Sequence, residues 1–350
     1  MAILHVFNPE HDIALAANLS NFTAPHAGRQ LRHDLGCLPA IWAAPDDYVL
    51  VENAEDAQTA FARLLHRSFK GFVEKRQLAH LPISRVEPWG WDLALRSFLL
   101  RYGVPSEILP SETEIAVIRD LSHRQTAVWL LENLMGDGLT GESWQTDSLE
   151  DVENLLRQHQ HLVVKAPWSS SGRGLRFMDG DMDDYQVRWL QNVIARQGSV
   201  VVEPYYHKVK DFGMEFESDG VGCVRYLGLS LFHTQNGAYT GNILATEEEK
   251  RENISRYLSI GLIDAVQASI CSRLGECFCD RYRGPFGVDM MIVQSGPAQN
   301  EQCLLHPCVE INLRRTMGHV ALALSERCPS DRVMRIDFAD NTYRLKIQQP

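Results

Sequence analysis

The sequence predicts a mixed α/β and α+β fold in two or three domains, on three observations. At 350 residues the chain exceeds what one ordinary hydrophobic core organises. Its opening reads strand, turn, helix: Ile3-Leu4-His5-Val6-Phe7, the polar turn Asn8-Pro9-Glu10-His11-Asp12, then an Ala/Leu-rich stretch. Such a unit belongs to an α/β domain that exposes its turn at a strand end. The far segment "GVDMMIVQSGPAQNEQCLLHPCVEINLR" reads instead as an antiparallel hairpin, its loop near Ser295 to Gln302.

Composition narrows the partners. The 45% hydrophobic and 23% charged content is that of a globular protein. A formal charge of −11 argues against nucleic acid or an anionic membrane surface and leaves small molecules as the expected partners. The start has no basic, apolar leader, because Asn8, Glu10, His11 and Asp12 interrupt it, and no run approaches a membrane span. A cytoplasmic location is expected, and a homodimer is compatible with the composition. The eight cysteines are scattered, so reduced, mostly buried thiols are expected, with Cys277 and Cys279, the only close pair, placed on a strand.

Along the chain, Asp12 reads as an N-cap for a helix over Ile13 to Ala17. "AIWAAP" and "DYVLVEN" read as strands, and a helix from about Trp91 ends at Gly103. "VPSEILPS" breaks the pattern and marks a boundary. Beyond it come the helical "EIAVIRDLSHRQTAVWLLENLM", the strand "TGESWQT", and a helix capped by Ser148 with Asp151. The strand "HLVVKAP" precedes a Ser/Gly-rich loop, an acid-led helix ending at Gly198, and the strand "SVVVEPYY". Strands "DFGMEFE" and "VRYLGLSLFHT", a turn-rich "QNGAYTGN", and one long helix from about Glu247 to Leu274, stopping at Gly275, lead to the hairpin.

The hairpin carries the strongest chemical signal. Residues two apart in a strand share a face, so Glu310, Asn312 and Arg314 lie together while Val309, Ile311 and Leu313 pack on the other side. Folding symmetrically about Gln299 and Asn300 sets Asp289 opposite Glu310, with Pro307 forcing a local irregularity because it cannot donate to the ladder. Polar groups on a buried strand are costly unless something occupies them. Two carboxylates and an amide oxygen are hard donors, suited to magnesium held jointly with substrate phosphates. A hairpin with one solvated face is the bland alternative, and the strongly apolar flanks disfavour it.

A second element is "VVKAPWSSSGRGLR". Lys165 ends an apolar strand, and the loop from Ser169 to Gly174 can set backbone N–H groups against phosphate oxygens. It is not a Walker A loop, since no Gly-Lys-Ser/Thr follows the glycines. A third is "VVVEPYYHKVKDFGMEF", where Glu203 and Asp211, taken singly, read as a strand-end charge and a turn residue.

In this order the pieces resemble the ATP-grasp superfamily of carboxylate–amine and carboxylate–thiol ligases. The resemblance covers about Glu112 to the end, and Glu-x-Asn-x-Arg is its most specific part. It implies a Rossmann-like pre-ATP-grasp domain over 1–111, then an ATP-grasp fold of two α+β subdomains over 112–202 and 203–350. It further implies ATP held by Lys165, the loop residues Ser169, Ser170, Ser171, Gly172 and Gly174, Glu203 beside the adenine and Asp211 on the ribose. Magnesium, or manganese in its place, would sit on Asp289, Glu310 and Asn312, with Arg314 facing the transferring phosphate or the substrate carboxylate. Arg124 stands where the family usually has a phosphate-binding lysine; it keeps the charge but not the geometry. The implied reaction is ATP-dependent joining of a carboxylate to an amine through an acylphosphate. A hydroxyl kinase on the same grip and a non-catalytic ATP-binding regulator are the alternatives. Asn8, Glu10, His11 and Asp12 are acceptor-site candidates by position. His233, Tyr239 and Asn242 are weaker ones against ordinary turn chemistry. His319 reads as a partly buried helix-start residue, and Arg315 as the outward partner of a salt bridge.

Overall fold

The computed structural model describes residues 2–169, 174–235, 238–295, 302–327, 330 and 332–349. The chain forms two compact units. One comprises Met1–Arg119, Thr240–Thr246 and Arg314–Pro350; the other comprises Asp120–Tyr239 and Glu247–Leu313. Among the described residues no helix is long and apolar enough to cross a membrane.

The first unit is built on four parallel strands, β1 (Ala2–Val6), β2 (Tyr48–Val51), β3 (Phe72–Glu74) and β4 (Ile83–Pro88), in the order β3-β2-β1-β4. Its helices are α1 (His11–Ala17), α2 (His26–Leu35), α3 (Ala54–Leu65), α4 (Leu93–Arg101) and most of α5 (Glu112–Leu121). The chain returns as β11 (Ala238–Leu244), α11 (Met317–Ser325), β14 (Arg332–Ala339) and β15 (Thr342–Gln348). Antiparallel pairs join β11 to β14 and β14 to β15. Phe7, Val49, Phe61 and Trp89 share one core with Leu244, Val320, Leu324 and Met334 from those late segments. On the opposite face of the parallel sheet Leu4, Val86, Leu95 and Leu99 form a second core.

The second unit holds two antiparallel sheets. In the smaller, β5 (Trp144–Thr146), β8 (Val200–Pro204), β6 (His161–Lys165) and β7 (Leu175–Asp179) run in that spatial order. Helices α7 (Leu149–His159) and α8 (Asp184–Gln197) cover it, with Val152, Leu162, Leu190 and Val202 in their core. The larger sheet aligns β13 (Gln302–Asn312), β12 (Gly284–Ser295), β9 (Lys208–Ser218) and β10 (Val224–Gln235). One face of it is largely apolar: Phe212, Met214, Phe216, Phe286, Val288, Met290 and Ile292 are at most 1% exposed. Helix α9 (Glu247–Ser255) and helix α10 (Ile260–Phe278) pack near it, and the Phe278 ring meets Phe286 edge-on. Helix α6 (Gln125–Glu132) packs on β13.

Several sequence expectations are corrected. The segment around "AIWAAP" forms a 3-10 turn, Leu38–Ile41, with every residue buried; a short apolar run does not distinguish strand from turn. The long helix is two, because Ser259 accepts a hydrogen bond from the Leu262 N–H and starts a new helix. Gly275 lies inside α10 and does not end it: a Cβ there would meet the Gly222 carbonyl oxygen at 2.6 Å. Cys277 is therefore helical and Cys279 caps the helix, neither being on a strand. Among the described cysteines, all free, Cys37 and Cys308 are buried while Cys223 is exposed. The segment from Glu112 likewise splits into α5 and α6. The turn-rich "QNGAYTGN" becomes strand from Ala238, where Gly241 lets the backbone pass Met334, whose carbonyl oxygen would lie 2.4 Å from a Cβ. Asp12 sits in the first turn of α1 instead of capping it; Glu10 holds the N-cap position. Gly103 and Gly198 do follow their helices with φ of +83° and +86°.

Candidate functional site

The hairpin pairing sets Asp289 directly opposite Glu310, as symmetric folding of the sequence requires. Nearer the loop the register differs: Met291 faces His306, and Ser295 faces Gln302. The shift falls at Pro307, whose missing N–H cannot continue the ladder. Residues 296–301 of the expected loop lie outside the described residues. Asn312 donates its amide N–H to Asp289 Oδ2 at 2.9 Å. Across β9 the partner of Asp289 is Gly213, where a Cβ would come within 3.2 Å of Asp289 Oδ1. Two residues before it on the same strand lies Asp211, which accepts from Lys208 Nζ at 2.6 Å and Thr234 Oγ1 at 2.8 Å.

Lys165, at the end of β6, places Nζ 2.6 Å from Glu203 Oε2, and each residue is about 5–6% exposed. Lys165 also donates to the Val309 carbonyl oxygen on β13 at 3.3 Å, so the two sheets meet at this ammonium. Ser143 donates to the other Glu203 oxygen at 3.4 Å. Arg124, just before α6, reaches Glu310 Oε1 from both terminal nitrogens at 3.0 and 2.9 Å. It also reaches Ser169 Oγ at 3.3 Å. Gly174 closes the neck of the Ser/Gly-rich loop against Ser169, since a Cβ there would overlap the serine side chain at 2.3 Å. Ser170, Ser171 and Gly172 lie outside the described residues.

Lys165, Glu203, Asp289, Glu310, Asn312 and Arg124 thus gather in the second unit, and Asp211 lies beside Gly213 on the same sheet. Among the described residues no three His, Cys, Asp or Glu side chains group as a complete metal site. The donor set is two carboxylates and one amide, all able to offer oxygen. That fits a hard divalent cation whose remaining ligands come from phosphate or water.

Sequence reasoning missed His306 and Cys308. Both share the Glu310 face of β13 by alternation, which was the available signal. His306 is fully buried, its ring edge-on to Tyr206 at 5.4 Å, and neither ring nitrogen has a hydrogen-bond partner. Burial pushes its pKa down to about 4. Burial likewise raises the Cys308 thiol, with the nearby Glu203, Asp289 and Glu310 adding to the shift against Lys165.

Arg314 belongs to the first unit, where its guanidinium grips Asp12 through Nε at 3.0 Å and Nη2 at 2.7 Å. Burial alone would raise the Asp12 carboxyl, but Arg314 and a hydrogen bond with His11 hold it far below the usual range. Arg315 turns elsewhere, 3.6 Å from Glu87 and 4.8 Å over the Trp42 ring. His319 is buried at the start of α11 and completes a capping box with Thr316. His233 is exposed on β10, Tyr239 half-buried and Asn242 buried on β11.

No protein-family model matches the sequence, and no curated protein does. Solved structures do. N5-carboxyaminoimidazole synthetase from Staphylococcus aureus, complexed with ADP, superposes with a TM-score of 0.51 at 13% identity, over 97% of this chain and 83% of that one. The biotin carboxylase domain of Hydrogenobacter thermophilus 2-oxoglutarate carboxylase, with MgADP and bicarbonate, gives 0.50 at 13% identity, over 97% and 75%. Campylobacter jejuni biotin carboxylase in a beta-gamma-ATP complex gives 0.50 at 11%, over 97% and 77%.

Proposed function

Starting from the ATP-grasp fold that the chain shares with these structures, we propose that it is an ATP-dependent carboxylate–amine ligase. The observation that carries the reading is the Asp289–Glu310 cross-strand pair with Asn312 on Asp289, an oxygen donor set in the sheet of a nucleotide-binding fold. Asp289, Glu310 and Asn312 would hold magnesium, or manganese in its place. Held there, it would supply charge neutralisation for phosphoryl transfer. Lys165 and Arg124 supply positive charge toward the phosphates, Glu203 and Asp211 take the adenine and ribose ends, and Ser169 and Gly174 flank the Ser/Gly-rich stretch.

In the ligase reaction a substrate carboxylate oxygen attacks the γ-phosphorus and ADP leaves. The amine nitrogen then attacks the acyl carbon and phosphate leaves. Three cations among the described residues of the site already have carboxylate partners: Lys165 on Glu203, Arg124 on Glu310 and Lys208 on Asp211. Loading therefore exchanges protein partners for ligand ones, so these side chains are already held near their working positions. The acidic net charge argues against polyanionic partners and leaves small-molecule substrates.

A coupled ADP-release screen over pairs of carboxylic acids and amines, run beside Glu310→Ala, tests this. Wild type is expected to release ADP only with a matched pair, and Glu310→Ala to lose at least about a hundredfold in rate. Equal MgATP binding and equal ADP release by the two proteins would reject the metal-site assignment. ADP release with a hydroxyl compound alone would favour the kinase reading instead.

A further inference from the structure

The residue before Arg124 is a buried histidine, and its imidazole is engaged on three sides. Its Nδ1 accepts the Gln125 N–H at 3.0 Å, so the ring carries its proton on Nε2. Nε2 then donates to Ser199 Oγ at 3.2 Å, and that hydroxyl also accepts from Gln145 Nε2 at 3.3 Å. The ring stands edge-on to Trp168, with centroids 4.7 Å apart and planes at 88°. His123, Trp168 and Ser199 are all at most 7% exposed.

Each partner leads to a different part of the candidate site. Gln125 is the first residue of α6, and Ser199 directly precedes β8, which carries Glu203. Trp168 directly precedes Ser169, and its own N–H is fixed on Gln197 Oε1 at 3.0 Å. The Arg124 N–H reaches the Pro167 carbonyl oxygen at 3.4 Å, a second tie between the start of α6 and the segment entering the Ser/Gly-rich loop. The Arg124 side chain is gripped at its tip, by Glu310 and Ser169, while its buried Nε has no hydrogen-bond partner. Such a guanidinium takes its place from its backbone, because nothing along the stem would correct a displacement.

We infer that His123 is a positioning residue: its imidazole locks the start of α6 to the loop entry and to β8, and so sets where the Arg124 guanidinium meets a nucleotide phosphate. It acts through Arg124 and not on the nucleotide. The inference rests on the nucleotide-binding reading for what Arg124 does, and extends that site by a residue that charge and motif do not mark.

A double-mutant cycle on the full chain, read by isothermal titration with MgADP and controlled by circular dichroism, tests it. Arg124→Ala is expected to weaken MgADP by about tenfold or more. His123→Gln keeps an amide toward Ser199 but offers the Gln125 N–H no acceptor, and should cost about tenfold as well. The double variant should bind no more weakly than Arg124→Ala, since the histidine's contribution passes through the arginine. His123→Asn sets an amide oxygen where Nδ1 stands and should stay within about threefold of wild type. Both amides forfeit the edge contact with Trp168, so a purely structural cost would fall on the two alike. Equal losses for the two amides, or an undiminished His123→Gln loss on the Arg124→Ala background, would overturn the inference and leave the nucleotide site standing. An Arg124→Ala variant that binds MgADP as wild type does, or a wild type that binds none, would remove the phosphate role of Arg124 and this inference with it.

Discussion

His306 is the most consequential side chain that the sequence did not flag. A fully buried imidazole without hydrogen-bond partners carries a standing desolvation cost, and that cost depends on pH. With its pKa near 4 in the fold and about 6.5 in the unfolded chain, the unfolded state takes up the proton first as pH falls. Stability is thus lost progressively below about pH 6.5, by on the order of 3 kcal/mol by pH 4. Urea melts at pH 7 and pH 4.5 should show a smaller acid loss for His306→Leu than for wild type. Identical losses would mean that the ring has a proton partner in solution. The contrast with Asp289 and Glu310 explains what was legible. Charged groups between apolar neighbours announce themselves in a sequence. A histidine two turns of alternation away passes for core, because sequence does not reveal whether its nitrogens find partners.

At the scale of elements, the hairpin was readable because both its alternation and its symmetry are local properties. The bulge at Pro307 was readable as an irregularity, yet its size was not, since two registers coexist on one pair of strands. Gly213 was invisible for a different reason: its role is set by a strand 76 positions away in sequence. Only the register of β9 on β12 shows that its missing side chain leaves room for Asp289. Gly213→Ala should press on Asp289 Oδ1 and weaken magnesium-dependent nucleotide binding several-fold while leaving the sheet folded. Titrating MgADP into both proteins, with far-ultraviolet circular dichroism as control, reads this directly. Unchanged affinity would show that Asp289 yields at no cost. The helices went wrong where polar caps were hidden in helical composition: Ser259 and the break before α6 divide stretches whose residues all favour helix.

For the whole molecule, the fold class was evident from the two ends of the chain, but the composition of the units was not. Nothing local in "TGNILAT" or in the last 37 residues says that they pack with the first hundred. That assignment has a consequence for synthesis. The core around Phe7, Val49 and Trp89 is completed by Val320, Leu324 and Met334. During translation the amino-terminal unit must therefore wait while 215 further residues (Asp120 to Met334) emerge. At ~5–20 residues per second this is roughly 10–40 s with apolar surface uncovered. The last residues of the second unit emerge before those of the first, although it begins later. A nascent chain stalled after Leu313 should resist protease over 120–313 and be cut within 1–119. Release of the full chain should then protect both. Chaperones that recognise exposed apolar strands would meet this protein at its beginning, long after that beginning has left the ribosome.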